Sequence, residues 1–275
     1  MADDIKLSAA SRTNLLALQS TTKLIGRTQA RLSTGLEVNS ALDNASAFFQ
    51  SRSLSNRAND LSQVKDSIDQ SIQTLKSALS GIEGAVKIVE QLKGLGAAAK
   101  NAITSAERSQ LANQAEQLAA QLDNLINDAG YNGVNLIRAT PDNMEINFYE
   151  DSTIELTVAG VNMSAANLGA DISAASNNWG TVGDINADMD EYQSALGQLR
   201  TTASTLGSQT TLLQTRLDFL SAMVNTLQEG ADKLTLADTN EEGANLLALQ
   251  TRQQLGINSL SLAAQSEQSV LSLFG

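Results

Sequence analysis

The 275-residue chain contains neither cysteine nor histidine, which excludes disulfides, thiol chemistry and thiolate metal sites and removes the commonest general base and metal ligand. A formal net charge of −12, with Lys and Arg read as scattered among acids, argues against nucleic acid as a partner. Aromatic residues are 3% of the chain and proline occurs once, so the composition suits helices packed through small residues, while the lack of an apolar run of about 18 residues and the acidic stretch Met1 to Leu7 predict no membrane insertion and no cleaved leader.

In chain order, residues 8–36 carry Leu15, Leu18, Ile25 and Leu32 at helical spacing, interrupted by Thr22 and Gln29 and opposed by a polar face. The pattern predicts a weakly amphipathic helix, marginal by itself, because helices draw most of their stability from burying an apolar face. Residues 31–46 then break the rhythm. Gly35 can take a positive φ and Ser40 or Asp43 can cap a following helix, so this stretch reads as a joint. Asn44-Ala45-Ser46 also fits a glycosylation sequon, a three-residue match that capping explains better.

From 45 to about 99, Leu61, Val64, Ile68, Ile72, Leu75, Leu79, Ile82, Val86 and Val89 recur at heptad spacing. Gly81, Gly84, Gly94 and Gly96 soften the far end. Gly94-Leu95-Gly96 reads as helix termination and not as a phosphate loop, since no third glycine, preceding strand or Lys-Ser/Thr pair accompanies it. A helix at about 105–127, with Leu111, Ala115, Leu118, Leu122 and Leu125, returns antiparallel, and 128–133 with Asn132-Gly133 is a turn. Residues 144–149 and 153–159 change to a period of two and predict a β-hairpin joined by Glu150-Asp151-Ser152. Residues 161–184, around the lone Trp179, read as irregular surface structure. Asp184, Asn186, Asp188 and Asp190 mimic the oxygens of a calcium loop, but Met189 stands where the sharp-turn glycine belongs and Ala195 where the bidentate Glu belongs. An acid-enriched helix N-terminus accounts for them instead.

Leu196, Leu199, Ala203, Leu206, Thr210, Leu213, Leu217, Leu220, Val224, Leu227, Ala231 and Leu234 alternate gaps of three and four, the pattern of a heptad seam. At the usual helical rise this segment spans roughly 60 Å and needs partner helices of matching length. The expected fold is mainly α: a long antiparallel helical bundle or coiled coil of rod shape, with a small β-hairpin region and paired terminal helices. Its expected core is Leu61, Val64, Ile68, Ile72 and Leu75 against Leu199, Leu206, Leu213, Leu217, Leu220 and Val224. After a break at 236–240, Thr239 to Glu242 fits a capping box. The last helix carries Leu246, Leu249, Ile257, Leu260 and Ala264 and finishes in Val270, Leu271, Leu273 and Phe274. The organisation expected is thus terminal helices at 1–44 and 236–275, a helical rod at 45–138 and 190–235, and a short hairpin and irregular surface region at 139–189.

The joint, with Arg31, Leu32, Ser33, Gly35, Leu36, Asn39, Ser40 and Asp43, closely resembles the amino-terminal signature of bacterial flagellins, and Tyr131 to Leu136 resembles their turn after the second bundle helix. Leu206-Gly207-Ser208-Gln209, Arg216-Leu217, Ala237-Asp238, Gln253 to Gly256 and Val270 to Phe274 follow the family's carboxyl-terminal order and spacing. The resemblance covers about residues 5–138 and 190–275. It implies a secreted, extracellular structural subunit that polymerises into the flagellar filament for swimming, with no catalytic, cofactor or metal site. The terminal helices would pair in the filament's inner core through Leu15, Leu18, Ile25, Leu32, Leu246, Leu249, Ile257, Leu260, Val270, Leu271, Leu273 and Phe274. The implied partners are copies of itself, a flagellar secretion chaperone and the export apparatus, and filament-cap and hook-junction proteins; the alternative within the family is a hook–filament junction protein. Zinc-protease inserts known in some flagellins need a His-Glu-x-x-His pair that this chain cannot supply. Gln91 and Lys93-Gly94-Leu95 stand where receptor-activating flagellins carry an Arg and an Arg-Glu-Leu run, which implies weak or no vertebrate innate receptor activation in a reporter-cell assay.

Overall fold

The computed structural model describes residues 9–149 and 155–274. Where the apolar period is near 3.6 the chain forms α1 (Ala9–Thr34), α2 (Ala45–Asn101), α3 (Ser105–Asp128), α4 (Val182–Thr235) and α5 (Thr239–Phe274). Where it falls to two, β1 (Met144–Asn147) and β2 (Glu155–Val158) pair antiparallel, with Met144 opposite Val158 and Ile146 opposite Leu156. Glu150, Asp151, Ser152 and Ile154, expected in and beside the hairpin turn, lie outside the described residues. The chain divides into two units, residues 1–57 with 226–275 and residues 58–225. That division falls within α2 and α4, and not at the joint and the 236–240 break by which the sequence was divided.

In the 58–225 unit the seam repeats strictly every seven residues: Leu61, Ile68, Leu75, Ile82 and Val89 on α2, and Leu199, Leu206, Leu213 and Leu220 on α4, are all buried. The alternate positions divide. Ile72 is buried, whereas Val64, Leu217 and Val224 are half-buried on the flank of the seam. Helix α3 contributes Ala112, Ala115, Ala119, Leu122 and Ile126. Its start is fixed by a reciprocal cap in which Glu107 N donates to Thr104 Oγ1 and Thr104 N donates to the Glu107 carboxylate, both at 3.2 Å.

Helix α2 runs through all four of its glycines to Asn101, so the reading of Gly94-Leu95-Gly96 as a terminator is corrected. Three of the glycines are notches that let neighbours approach. A Cβ at Gly81 would fall 2.5 Å from Ala129 Cβ, one at Gly84 2.7 Å from Leu125 Cδ2, and one at Gly96 2.8 Å from Met189 Sδ. The helix propensity that each glycine forfeits is offset by close packing of α3 and α4.

Beyond α3, Asn132 and Gly133 take φ of 49° and 84° in a two-residue turn closed by Tyr131 N and Val134 N donating to each other's carbonyls. Asn135 then plugs the helix end. Its Nδ2 donates to Ile126 O at 2.8 Å and Asn127 O at 3.0 Å, and its Oδ1 accepts from Ile137 N at 2.9 Å and Arg138 N at 3.0 Å. The hairpin packs inward through Met144, Ile146, Phe148 and Val158, with the Arg216 guanidinium 5.0 Å above the Phe148 ring.

The irregular stretch before α4 lies at the surface with its polar residues but is core through its apolar ones, which corrects the sequence reading in part. Trp179 is fully buried, together with Met163, Ala165, Leu168 and Ile172. Asn177, Asn178 and Trp179 all adopt positive φ, a costly run for residues with a Cβ. Their surroundings hold them there: Trp179 Nε1 donates to Asp188 Oδ2 at 2.6 Å, Ser176 N donates to the same oxygen at 2.9 Å, and Arg108 donates to the Trp179 and Gly180 carbonyls.

Candidate assembly surface

Helices α1 and α5 pair antiparallel. Gln253 Nε2 donates to Thr22 Oγ1 at 3.3 Å, a Cβ at Gly256 would lie 3.1 Å from Leu18 Cδ1, and Arg31 Nη1 donates to Glu242 Oε1 at 2.6 Å. Of the predicted assembly residues, Ile25 is buried and Leu18, Leu32, Leu246, Leu249 and Leu260 are half-buried, whereas Leu15 and Ile257 are exposed. The side chains of Val270, Leu271, Leu273 and Phe274 lie outside the described residues. A second set, which sequence reading missed, faces away from the pair: Leu16, Leu247, Leu255 and Leu262 are 63–72% exposed. The signal was available in the spacing of eight and seven from Leu247 to Leu255 to Leu262, which keeps one helical face.

The joint is built by backbone pairing. Gly35 takes φ 72° and accepts from Ala237 N at 2.9 Å, while Glu37 N and Val38 N donate to Thr235 O at 2.8 and 3.2 Å. Leu36 is half-buried and Ser33 and Asn39 are exposed. Ser40 N and Oγ donate to Asp43 Oδ2, both at 3.0 Å, closing a turn and holding the Asp43 carboxyl below its usual range. The cap of α2 is therefore neither Ser40 nor Asp43 but Asn44, whose Oδ1 accepts from Ala47 N at 3.2 Å. This hydrogen bond accounts for the sequon-like asparagine.

The start of α5 is corrected in the same way. Asp238 Oδ1 accepts from Asn240 N at 2.9 Å and Glu241 N at 3.2 Å, so the cap sits one residue before Thr239. Glu242, assigned from sequence to the capping box, is instead buried against Arg31, which also lies 3.6 Å from Glu37. Sequence spacing could not show this pair, because 211 residues separate its members.

Among the described residues no three of Asp and Glu gather as a metal-ion cluster. The calcium-like acids point to different tasks: Asp184 accepts from Thr181 N and Oγ1 at 2.8 Å each, which lowers its pKa and caps α4, and Asp188 holds Trp179. Burial, with Asp188 and Glu191 nearby, pushes the Tyr192 hydroxyl pKa well up. In the segment compared with receptor-activating flagellins, Gln91 is exposed and Lys93 Nζ donates to Gln193 Oε1 at 2.6 Å. No helix among the described residues is long and apolar enough to cross a membrane.

Family comparison joins these features. The bacterial flagellin N-terminal helical region matches residues 5–141 and the bacterial flagellin C-terminal helical region matches residues 183–274. A flagellin of Brucella melitensis is 31% identical over 98% of both chains, and flagellin FljM of Caulobacter vibrioides is 28% identical over 94% of this chain and 95% of its own. Among solved structures, Bacillus cereus flagellin aligns at 15% identity and a TM-score of 0.48, covering 56% of this chain and 88% of its own. With both terminal regions matched in order and a relative aligned along nearly all of both chains, the protein belongs to the bacterial flagellin family and is a structural subunit of the exported flagellar filament.

Proposed function

We propose that α1 and α5 are the surface through which copies of this subunit pack in the filament, forming its inner layer, and that the 58–225 unit folds independently of that packing. The observation that carries this is the leucine face of the α1–α5 pair, Leu16, Leu247, Leu255 and Leu262, left in water while Ile25 is buried and Leu18, Leu32, Leu246 and Leu249 are half-buried in the pair. Single exposed leucines are ordinary, but a stripe of them along a helix pair marks an interaction surface. The work of such a protein is mechanical and needs no catalytic group. A secretion chaperone that covers α5 before export, the export apparatus, and cap and hook-junction proteins at the filament ends are the further partners proposed.

The test separates folding from assembly. Leu220→Asp removes a buried leucine worth about 1.5–3 kcal/mol and inserts a desolvated charge, so it melts the bundle. Leu255→Asp with Leu262→Asp keeps the helical circular dichroism and the buried-Trp179 fluorescence of the wild type while electron microscopy shows no filaments. Filaments of normal length from the double variant would overturn the assignment.

A further inference from the structure

Most cations of this acidic chain are scattered among acids, but those of α1 and of the middle of α5 are not. Helix α1 carries Arg12, Lys23, Arg27 and Arg31 and no acid at all, and α5 beyond Glu242 carries Arg252 and no acid before Glu267. By contrast, 27 of the 30 acidic residues lie in 35–242. With Glu241, Glu242 and Glu267 of α5 counted, the helix pair still carries five cations against three acids in a chain of net charge −12.

Three of these five cations, Arg27, Arg31 and Arg252, line a groove of about 300 Å³ between α1 and α5, together with Thr28, Asn245 and the carboxylate of Glu242. Arg31 is already neutralised by Glu242 and Glu37. Among the described residues Arg27 and Arg252 have no ion-pair partner, so the groove keeps two uncompensated guanidinium groups, one from each helix. Guanidinium forks match the oxygens of phosphate-class anions and form short charge-assisted hydrogen bonds to them.

We propose that this groove binds a small free oxyanion of the phosphate class, bridging α1 to α5 through Arg27 and Arg252. The anion comes from solution because α1 of a neighbouring copy, and its α5 between Glu242 and Glu267, offer further cations and no carboxylate. On the reading that copies pack through these helices, assembly brings like charges together, and the bound anion relieves that repulsion.

The decisive measurement uses the full chain kept below its assembly concentration, with inorganic phosphate titrated against chloride at matched ionic strength and binding followed by calorimetry and phosphorus resonance. Saturable binding is expected in the wild type and in R12Q/K23Q, which loses the same charge outside the groove. In R27Q/R252Q it weakens at least about tenfold with unchanged circular dichroism. Absence of saturable binding in the wild type, or an equal loss in R12Q/K23Q, would overturn the site. Filament formation in phosphate-free chloride reports on the assembly surface by itself, so the two readings fail separately.

Discussion

Asn135 is the residue whose removal the structure prices most directly. Its side chain serves four backbone groups, two carbonyls at the end of α3 and two amides of the following segment, and it is 4% exposed. Asn135→Ala removes all four bonds. The bonds to Ile126 O and Ile137 N are fully buried, whereas those to Asn127 O and Arg138 N lie where water can replace them. At about 1–3 kcal/mol for each of the two stranded buried groups, the expected loss is about 2–6 kcal/mol. For a unit of this size that corresponds to a fall in melting temperature of roughly 4–24 °C. Trp179, the single tryptophan and fully buried in the same unit, reports the transition by fluorescence. Asn135→Asp is no rescue, because it turns a second oxygen toward two carbonyls that require a donor. A fall of less than about 2 °C in the alanine variant would refute the view that this asparagine holds the helix end.

Two glycines of one helix predict opposite signs. Gly81→Ala places a methyl group against Ala129 Cβ, which has no rotamer to yield, so overpacking of about 1–3 kcal/mol outweighs the gain in helix propensity; Gly94→Ala meets open space and stabilises by about 0.5–1 kcal/mol. Urea midpoints that move in the same direction for both variants would contradict the notch reading of Gly81. The Asp184 carboxyl, lowered by its Thr181 hydrogen bonds, supports the α4 cap fully above the unfolded value of about 3.9 and loses that support as the pH falls through its lower folded value. Asp184→Asn therefore differs from wild type in thermal midpoint near neutral pH, and the two converge in strong acid; a gap that persists there would show that the charge is irrelevant.

What was legible in the sequence is what short-range periodicity encodes. Heptad spacing located α2 and α4, the change to period two located β1 and β2, and Asn132-Gly133 located a turn whose positive φ values those two residues accept. What was hidden depends on remote partners. Gly81 and Gly84 look like helix weakeners until Ala129, Ile137 and Leu125 are seen against them. Trp179 sits in a polar, glycine-bearing stretch that reads as surface, yet it is buried, with Asp188, nine residues later on a helix, accepting from its indole. The cap residues were misplaced, by one position at Asp238 and by one or four at Asn44, because several neighbouring side chains could each have accepted the same amides. The basic character of α1 needed no structure at all, only a count by element instead of by chain.

The contrast between the units follows from how many layers each can stack. In residues 58–225 three helical segments, a hairpin and the returning 160–180 segment surround a common seam, so apolar faces find partners within the unit, and Trp179 and Asn135 close what the helices leave open. The α1–α5 pair has only two helices. Two helices bury one stripe each and cannot enclose a core, so a sequence with a second apolar stripe, as α5 has at Leu247, Leu255 and Leu262, must leave it in water until another surface arrives. Adding charge there would keep the subunit soluble, yet α5 places a single Arg and no acid between Glu242 and Glu267. The polar residues on this stretch are neutral Ser, Thr, Asn and Gln, which hydrate the free subunit at little desolvation cost when they are later covered. A surface so composed is suited to being exposed for a time and buried afterwards, which is the physical requirement on a subunit that travels before it assembles.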